Sequence, residues 1–403
     1  MRKKTTRKGK EMSEGMETSL EIEDGKVERG GAFDAKWDME GAPICALCGH
    51  SVSGSFAEHL EEVHATTLAK YTEQFPEWPL VKRSDVGSSL GFHEREKKMF
   101  SVEQTFGFWW SRGKDKLVQG YAEAGHLTPK IDPNYVFEPE LTQVALAGLH
   151  MKDKILMFGP TGSGKTSIWE QIAARLNFNF VRINFDAGIT RSDLVGMHVV
   201  KGKSMTFEEG ILPTGMSLPG TIICFDEWDT ASEEVSFVLQ RPLESNSQLL
   251  LLEDNKRIVK LHKENVIVAT ANTAGMGDDT GLYSGTRQQN YSQINRFSLT
   301  IETNYLPEKD EVEILERKFG SASEGKTIDS DILKAMVRLV NAVREAHTRG
   351  ELSVPLSTRD LINWGEKMRI WGSPQKSAKY CFVNRYPLED REVVEALIKR
   401  IFV

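Results

Sequence analysis

A glycine-rich octapeptide carries the most specific chemistry in this sequence. Residues 159–166 read GPTGSGKT, preceded by the apolar run 155–158 and followed by a helical pattern over residues 167–176. The spacing G-x-x-x-x-G-K-T between a strand and a helix is typical of a phosphate-binding loop. Its backbone N–H groups turn inward around phosphate oxygens, and the helix N-terminus adds a partial positive charge. The octapeptide therefore predicts a nucleoside triphosphate site.

Two further apolar runs end in polar residues that suit hydrolysis of a bound triphosphate. Residues 221–229 read TIICFDEWD, and residues 265–272 read NVIVATAN. Asp226 can hold the water shell of Mg²⁺, Glu227 can polarise the attacking water, and Asn272 can orient that water. An isolated apolar run ending in Asp-Glu is weak evidence, but about 60 residues after a phosphate-binding loop it is strong.

Lys165 and Thr166 complete the predicted chemistry. We expect Lys165 to reach the β- and γ-phosphates and the Thr166 hydroxyl to bind Mg²⁺ together with Asp226. The alternative, a glycine-rich turn that merely precedes a helix, is disfavoured because both flanks fit. The predicted nucleotide-binding residues are Gly159, Pro160, Thr161, Gly162, Ser163, Gly164, Lys165, Thr166 and Asp226.

A parallel sheet would bring these segments together. The apolar runs alternate with helical patterns, and another strand pattern lies at residues 178–185. Because the carboxyl ends of parallel strands meet at one edge, the pattern predicts an open parallel α/β sheet with its site at that edge. From residue 308 onwards helical periodicity dominates, which predicts an α-helical lid in which Ser357 is the N-cap of one helix.

The order of these motifs resembles that of AAA+ ATPases, in particular the CobS-type subunit of cobaltochelatase within the MoxR-like group. The resemblance extends over about residues 105–370. It is carried beyond the shared motifs by the segments IDPNYVF (131–137), DLVG (193–196), EGILP (209–213), GLYSGT (281–286), NRF (295–297) and NYLP (304–307). The resemblance implies an AAA+ P-loop domain that hydrolyses ATP with Mg²⁺ as its cofactor.

The resemblance also implies a homo-oligomeric ring, usually a hexamer, with each ATP held between neighbouring subunits. Arg296 matches the family's arginine finger, which reaches a neighbour's γ-phosphate and stabilises charge in the transition state. A surface arginine is the alternative for Arg296, and Arg287 is a second candidate for the finger. Arg359 matches the second sensor arginine at the start of a lid helix, and Arg241 is expected to brace the subunit contact.

Two segments predict β-hairpins inserted into the ATPase core. Residues 197–209 have a Lys-Gly-Lys turn, and residues 248–262 contain two apolar stretches. Similar ATPases direct such hairpins towards the central pore or a partner. A plain surface hairpin is the alternative, and the sequence does not separate the two.

Four potential zinc ligands lie near the N-terminus, at Cys45, Cys48, His59 and His64. Two thiolates on a tight turn and two imidazoles one helical turn apart can close a tetrahedral Zn²⁺ site. The finger is atypical, because the loop before the first histidine is shorter than the usual length of about twelve residues. Its acidic helix favours protein docking over DNA reading. Four unrelated polar residues are the alternative.

Length and composition limit the classes of protein to consider. The chain has 403 residues and a net charge of -7. The negative charge disfavours a protein that binds nucleic acid through its overall positive charge. No apolar run approaches the ~18 residues of a membrane span, and four cysteines without a disulfide pattern predict a cytoplasmic protein. The predicted domains are a disordered leader (1–40), the zinc finger (41–82), a linker and packing segment (83–130), the AAA+ core (131–305) and the α-helical lid (306–403).

Three functions fit these features. The first is a mechanochemical ATPase of CobS type that acts with a CobT-like metal-ion-adhesion protein and a large chelatase subunit. The second is a MoxR-like remodeller whose zinc finger recruits a client unrelated to cobalamin. The third is a nucleic-acid motor, which the net charge disfavours. The finger and the basic leader favour it. An aromatic cluster that could stack on bases or be a packing anchor also favours it, namely Phe106, Phe108, Trp109 and Trp110.

Overall fold

The computed structural model describes residues 95–402 apart from residues 111–114, 187, 203, 279–280, 284 and 321–326, and it also describes Val52 and Leu60. The chain divides into two compact units, residues 1–83 and residues 84–403. In the first unit, Val52 and Leu60 are buried. The predicted leader lies outside the described residues, as do the predicted zinc ligands Cys45, Cys48, His59 and His64. The zinc site therefore stays a prediction.

In the described part of the second unit, strands and helices alternate up to residue 302, and helices follow. The strands are β1 (Lys97–Ser101), β2 (Leu117–Tyr121), β3 (Ile155–Phe158), β4 (Asn179–Asn184), β5 (Gly196–Lys201), β6 (Ser204–Glu209), β7 (Thr221–Asp226), β8 (Gln248–Leu251), β9 (Arg257–Lys260), β10 (Val266–Ala271) and β11 (Leu299–Glu302). The α-helices are α1 (Val102–Phe106), α2 (Pro139–Met151), α3 (Lys165–Leu176), α4 (Arg191–Val195), α5 (Ile211–Ser217), α6 (Glu233–Leu243), α7 (Tyr291–Ile294), α8 (Glu308–Phe319), α9 (Ser330–Thr348), α10 (Thr358–Trp371), α11 (Pro374–Cys381) and α12 (Leu388–Ile401). None of these described helices has the length and apolarity that crossing a membrane requires.

Five strands form the central sheet in the order β11-β3-β10-β7-β4, and every neighbouring pair is parallel. The register pairs Phe158 of β3 with Ala271 of β10, and Asn184 of β4 with Asp226 of β7. The carboxyl ends of these strands therefore lie at one edge of the sheet. This arrangement confirms the predicted parallel α/β sheet followed by C-terminal helices.

The central strands β7 and β10 are buried along their whole length, because helices cover both faces of the sheet. On one face, Ile168 and Trp169 of α3 belong to the same core as Ile222 of β7. On the other face, Leu239 of α6 belongs to the same core as Phe225. The apolar packing of α3 fixes the helix that follows the glycine-rich loop.

The segment β1–α1–β2 packs against the α3 side of the sheet. Phe106 and Phe108 are buried, and the ring centre of Phe106 lies 5.0 Å from that of Phe137 in an edge-on contact. Trp109, in contrast, is 46% exposed. Phe106 and Phe108 therefore act as packing anchors rather than as a surface on which bases could stack.

The C-terminal helices α8 to α12, called the lid below, have a hydrophobic core of their own. Ser357 is the N-cap of α10, as predicted, and forms a capping box with Asp360. Glu311 of α8 is fully buried and accepts hydrogen bonds from Arg344 of α9 at 2.8 and 2.9 Å and from the Thr358 hydroxyl of α10 at 2.7 Å. This polar cluster ties three lid helices together.

Both predicted hairpins are present, as the antiparallel pairs β5–β6 and β8–β9. Side chains join one hairpin to the other. Arg257 of β9 pairs with Glu209 of β6, and Nε2 of His198 on β5 lies 2.8 Å from the carbonyl oxygen of Glu253, in the turn after β8. The two hairpins therefore form one connected surface.

Candidate nucleotide-binding site

The glycine-rich loop joins β3 to α3 at the carboxyl edge of the sheet. Gly162 has a φ of 77°, and a Cβ there would lie 2.5 Å from Cβ of Ser357, so glycine alone fits between loop and lid. Gly164 is the N-cap of α3 and offers no side-chain cap. The first N–H groups of α3 are thus available to an anion, which suits a nucleotide phosphate.

Lys165 is folded back onto the loop. Its ammonium donates to the carbonyl oxygens of Gly159 (2.7 Å) and Pro160 (2.9 Å) and to Oδ1 of Asn272 (3.2 Å). Burial lowers the pKa of Lys165 to about 8, although nearby carboxylates act in the opposite direction. The structure thus brings together Lys165 and Asn272, which belong to separate sequence motifs.

Asp226 ends β7 beside the start of α3 and is 3% exposed. Its Oδ1 accepts the Thr166 hydroxyl at 2.6 Å and the Thr270 hydroxyl, and its Oδ2 accepts Nε of Arg182 at 2.7 Å. A hydroxyl next to a carboxylate is the kind of hard-oxygen pair that Mg²⁺ uses beside nucleotide phosphates. Thr166 and Asp226 therefore fit the magnesium ion that the fold implies.

Glu227 and Asn272 follow the neighbouring strands β7 and β10. Glu227 has a left-handed backbone with a φ of 55°, and its N–H donates to the Thr270 hydroxyl at 3.3 Å. Its side chain is exposed at the sheet edge. Oδ1 of Asn272 accepts the Thr161 hydroxyl at 3.1 Å, in addition to Lys165. Strained backbone of this kind clusters at functional sites, and here it directs an exposed carboxylate away from the strand.

Arg359 lies in the first turn of α10, beside the loop. Its Cβ is 3.7 Å from the position that a Cβ on Gly162 would take. Its side chain is exposed. Burial of Lys165 is the main reason that the pKa of this lysine is lowered, and the positive charge of Arg359 lowers it further. The lid thus places a guanidinium within electrostatic reach of the loop.

Two family models match this chain. One, described as AAA domain (dynein-related subfamily), covers residues 154–288, and one described as CbbQ/NirQ/NorQ C-terminal covers residues 320–402. The aerobic cobaltochelatase subunit CobS of Sinorhizobium sp is 38% identical over 308 residues, which are 75% of this chain and 90% of that protein. The chain belongs to the CobS family of MoxR-like AAA+ ATPases.

Two further comparisons have lower sequence identity. The denitrification regulatory protein NirQ of Stutzerimonas stutzeri is 27% identical to this CobS-family chain over 253 residues, which are 62% of this chain and 84% of NirQ. The solved RuvB branch migration motor of Thermotoga maritima covers 63% of this chain and 72% of its own, with a TM-score of 0.39 and 14% identity. The predicted AAA+ and CobS-type resemblance is confirmed at the level of the family.

Three further arginines considered for a CobS-family ring make their described contacts outside the loop. Arg296, just after α7, donates to the carbonyl oxygen of Ser292 and lies 3.8 Å from Glu244. Arg241 pairs with the same Glu244 at 3.4 Å. Arg287 is exposed. Their predicted roles involve a neighbouring subunit and stay predictions.

The motifs did not identify three residues that the CobS-family fold brings to the site, namely Asp229, Thr270 and Arg182. Asp229 is fully buried, and its Oδ2 accepts the backbone N–H groups of Asn272 at 3.0 Å and Thr273 at 2.9 Å. Its Oδ1 has no hydrogen-bond partner within the described part of the chain, and burial raises the pKa of its carboxyl. Asp229 could have been recognised from the sequence, because it ends the segment FDEWD that also contains Asp226 and Glu227. No sequence pattern identifies Thr270 or Arg182 as site residues.

Proposed function

We propose that this chain is a CobS-type ATPase that hydrolyses ATP between the subunits of a hexameric ring and thereby remodels or activates a partner protein. The observation that carries the proposal is the meeting of Lys165, Thr166, Asp226 and Asn272 at one sheet edge. Hydrolysis is favoured over binding alone because Glu227 exposes a carboxylate at the same edge. The family membership supports the same reading.

Binding of ATP requires Lys165 to change partners. Its ammonium would exchange the carbonyl oxygens of Gly159 and Pro160 for phosphate oxygens, which form stronger, charge-assisted hydrogen bonds. Thr166 and Asp226 would hold Mg²⁺, which neutralises charge on the phosphates when bound. The uncapped N-terminus of α3 adds N–H donors to the same phosphates.

The chemical step then depends on groups from two subunits. Glu227 would accept a proton from the attacking water, which Asn272 would orient. Arg359 would supply positive charge from the chain's own lid, and Arg296 would supply it from the neighbouring subunit. Support for a subunit contact near Arg296 comes from the adjacent helix α7, where Tyr291 is 74% exposed.

The two connected hairpins support a protein client. Each exposes an apolar cross-strand pair, Val200 with Met205 on one hairpin and Leu250 with Ile258 on the other. Exposed apolar side chains that lie together mark protein contact surfaces. Because the hairpins are joined by side-chain contacts, we propose that they engage the client as one unit.

The identity of the client is proposed from the relatives. The Sinorhizobium protein is named a subunit of aerobic cobaltochelatase, so a CobT-like protein and a large chelatase subunit are the proposed partners. A client unrelated to cobalamin is the alternative, and the regulatory name of NirQ favours it. In that alternative a zinc finger with the ligands Cys45, Cys48, His59 and His64 would recruit the client.

Glu227→Gln tests the ATPase. We expect the variant to bind ATP as the wild type does and to lose about 100-fold or more in turnover, because the general base is neutralised. Glu302→Gln is the matched control, since Glu302 is an exposed carboxylate at the end of β11. Wild-type turnover in Glu227→Gln would show that the base is misassigned, and failure of the wild type to bind ATP would refute the proposal as a whole.

Addition of partners tests the client. A purified CobT-like protein should form a complex and raise ATP turnover, and absence of both effects would favour the alternative client. Double-stranded DNA at low salt should leave turnover unchanged. Stimulation by DNA with a steep salt dependence would instead favour the nucleic-acid motor.

A further inference from the structure

Both carboxylate oxygens of Asp226 have side-chain partners within the chain. Oδ1 accepts two hydroxyl groups, those of Thr166 and Thr270, while Oδ2 faces the guanidinium of Arg182 through Nε at 2.7 Å and through Nη2. Arg182 is paired in register with Cys224 on the neighbouring strand. Its side chain therefore reaches diagonally across β7 to the residue two positions further on.

The two partners differ in their surroundings. The side chain of Asp226 is 4% exposed, whereas that of Arg182 is 53% exposed and projects from the edge strand β4. A buried carboxylate without a counter-charge is unfavourable, so Arg182 supplies the compensation that Asp226 needs when no metal is bound. Its exposed position leaves the guanidinium room to turn towards solvent when another cation takes over.

We propose that Arg182 is a positioning residue that acts as a placeholder cation. It neutralises Asp226 in the metal-free protein and releases Oδ2 when the magnesium nucleotide binds, and it thereby sets the magnesium concentration that binding requires. This inference rests on the proposed function in one respect, namely that Asp226 helps to hold Mg²⁺ beside a nucleotide.

A static brace is the competing interpretation of the same contact, and it predicts a change of opposite sign. A brace that orients Asp226 in both states would help metal binding, so its removal would raise the magnesium requirement. A placeholder competes with the metal, so its removal lowers that requirement. A unit charge about 7 Å from a divalent cation changes its binding constant by about sevenfold at the dielectric constant of water and by more at that of a protein surface, so a change of about threefold is a conservative lower bound.

Three variants test the placeholder role, namely Arg182→Gln, Arg182→Lys and Arg349→Gln. Arg349 is an exposed arginine paired with Glu351 at the end of α9, which makes Arg349→Gln the control for loss of charge alone. The first measurement is thermal unfolding in EDTA without nucleotide. Arg182→Gln should unfold about 2–4 °C below the wild type because Asp226 has lost its counter-charge, while Arg349→Gln should match the wild type.

The second measurement is binding of N-methylanthraniloyl-ADP as a function of Mg²⁺ concentration. Half-maximal binding to Arg182→Gln should need at least about threefold less Mg²⁺ than the wild type. Arg182→Lys keeps the charge but not the planar guanidinium fork, so its magnesium requirement should lie between those of the wild type and Arg182→Gln. If Arg182→Gln does not fold, Arg182→Lys decides the question by the sign of its change, since a magnesium requirement below that of the wild type supports the placeholder.

An unchanged or raised magnesium requirement in these Arg182 variants overturns the placeholder and supports the brace. Unaltered stability of Arg182→Gln in EDTA overturns the counter-charge role. Failure of the proposed function has a different signature, because the wild type would then either not bind the ADP analogue or bind it without any dependence on Mg²⁺. The unfolding measurement needs neither nucleotide nor metal and therefore tests Arg182 even in that case.

Discussion

Replacing Arg344 with methionine should destabilise the lid by about 3–5 kcal/mol. Glu311 is fully buried and receives two hydrogen bonds from Arg344 at 2.8 and 2.9 Å. Without the arginine, a buried carboxylate would retain the Thr358 hydroxyl as its described partner. Breaking a buried ion pair from one side costs about 3–5 kcal/mol because the remaining charge stays uncompensated.

Other contacts of Arg344 act in the same direction. Its Nε donates to the carbonyl oxygen of Leu356 at 2.8 Å, and its guanidinium lies 4.0 Å from the ring centre of Tyr305. Leu356 precedes the N-cap of α10, and Thr358 is the first residue of that helix. We therefore expect Arg344→Met to loosen the first turn of α10, beside the glycine-rich loop, and to weaken ADP binding as well.

Urea unfolding followed by tryptophan fluorescence measures the effect, because Trp364 is buried in the lid core. The double variant Glu311→Leu with Arg344→Met should be more stable than Arg344→Met alone, since apolar residues often replace a buried ion pair at little cost. Arg349→Gln, in an exposed pair at the end of the same helix, should leave stability unchanged within the error of the measurement. A loss of less than about 1 kcal/mol in Arg344→Met, or a double variant that is no more stable than the single one, would show that Glu311 does not depend on the charge of Arg344.

Three further predictions concern the loop and its surroundings. Because burial lowers the pKa of Lys165 to about 8, this lysine loses its charge as the pH rises through that value. Affinity for a fluorescent ADP should therefore fall about tenfold from pH 7 to 9, since the phosphates, with a second pKa of about 6, are already ionised. A flat profile would contradict this prediction. Gly162→Ala should weaken nucleotide binding more than tenfold in the same assay, because the new Cβ would clash with Ser357. Gly350→Ala, with a φ of 76° but open space around it, should leave binding unchanged and isolates the clash from backbone strain. Asp229→Ala should lower the free energy of unfolding by about 3 kcal/mol and reduce ATP turnover, because two part-buried N–H groups and the Thr273 hydroxyl lose their acceptor. Asp229→Asn keeps an oxygen acceptor, so it should retain most of the stability in denaturation assays and most of the ATP turnover.

Local motifs allowed much of the candidate site to be predicted. Lys165 and Thr166 are adjacent in the octapeptide, and Asp226 directly follows the apolar residues 222–225, so the rule that parallel strands end at one edge was enough to bring them together. Asn272 followed from the same rule. The N-cap Ser357 could be recognised because capping depends on the residue and its next few neighbours. Arg182 could not be recognised, since its contact with Asp226 depends on β4 lying next to β7 in a particular register.

By itself the sequence determined the family, the parallel sheet, the phosphate-binding loop and the residue types at the strand ends, because each of these is encoded within a short segment. The tertiary structure alone decided which side chains are partners across segments. It folded Lys165 back onto loop carbonyls, set Arg182 against Asp226, and placed Ser357 of the lid where Gly162 leaves room. These contacts join residues far apart in the chain, so they depend on strand order, register and the packing of the lid, which no local pattern specifies.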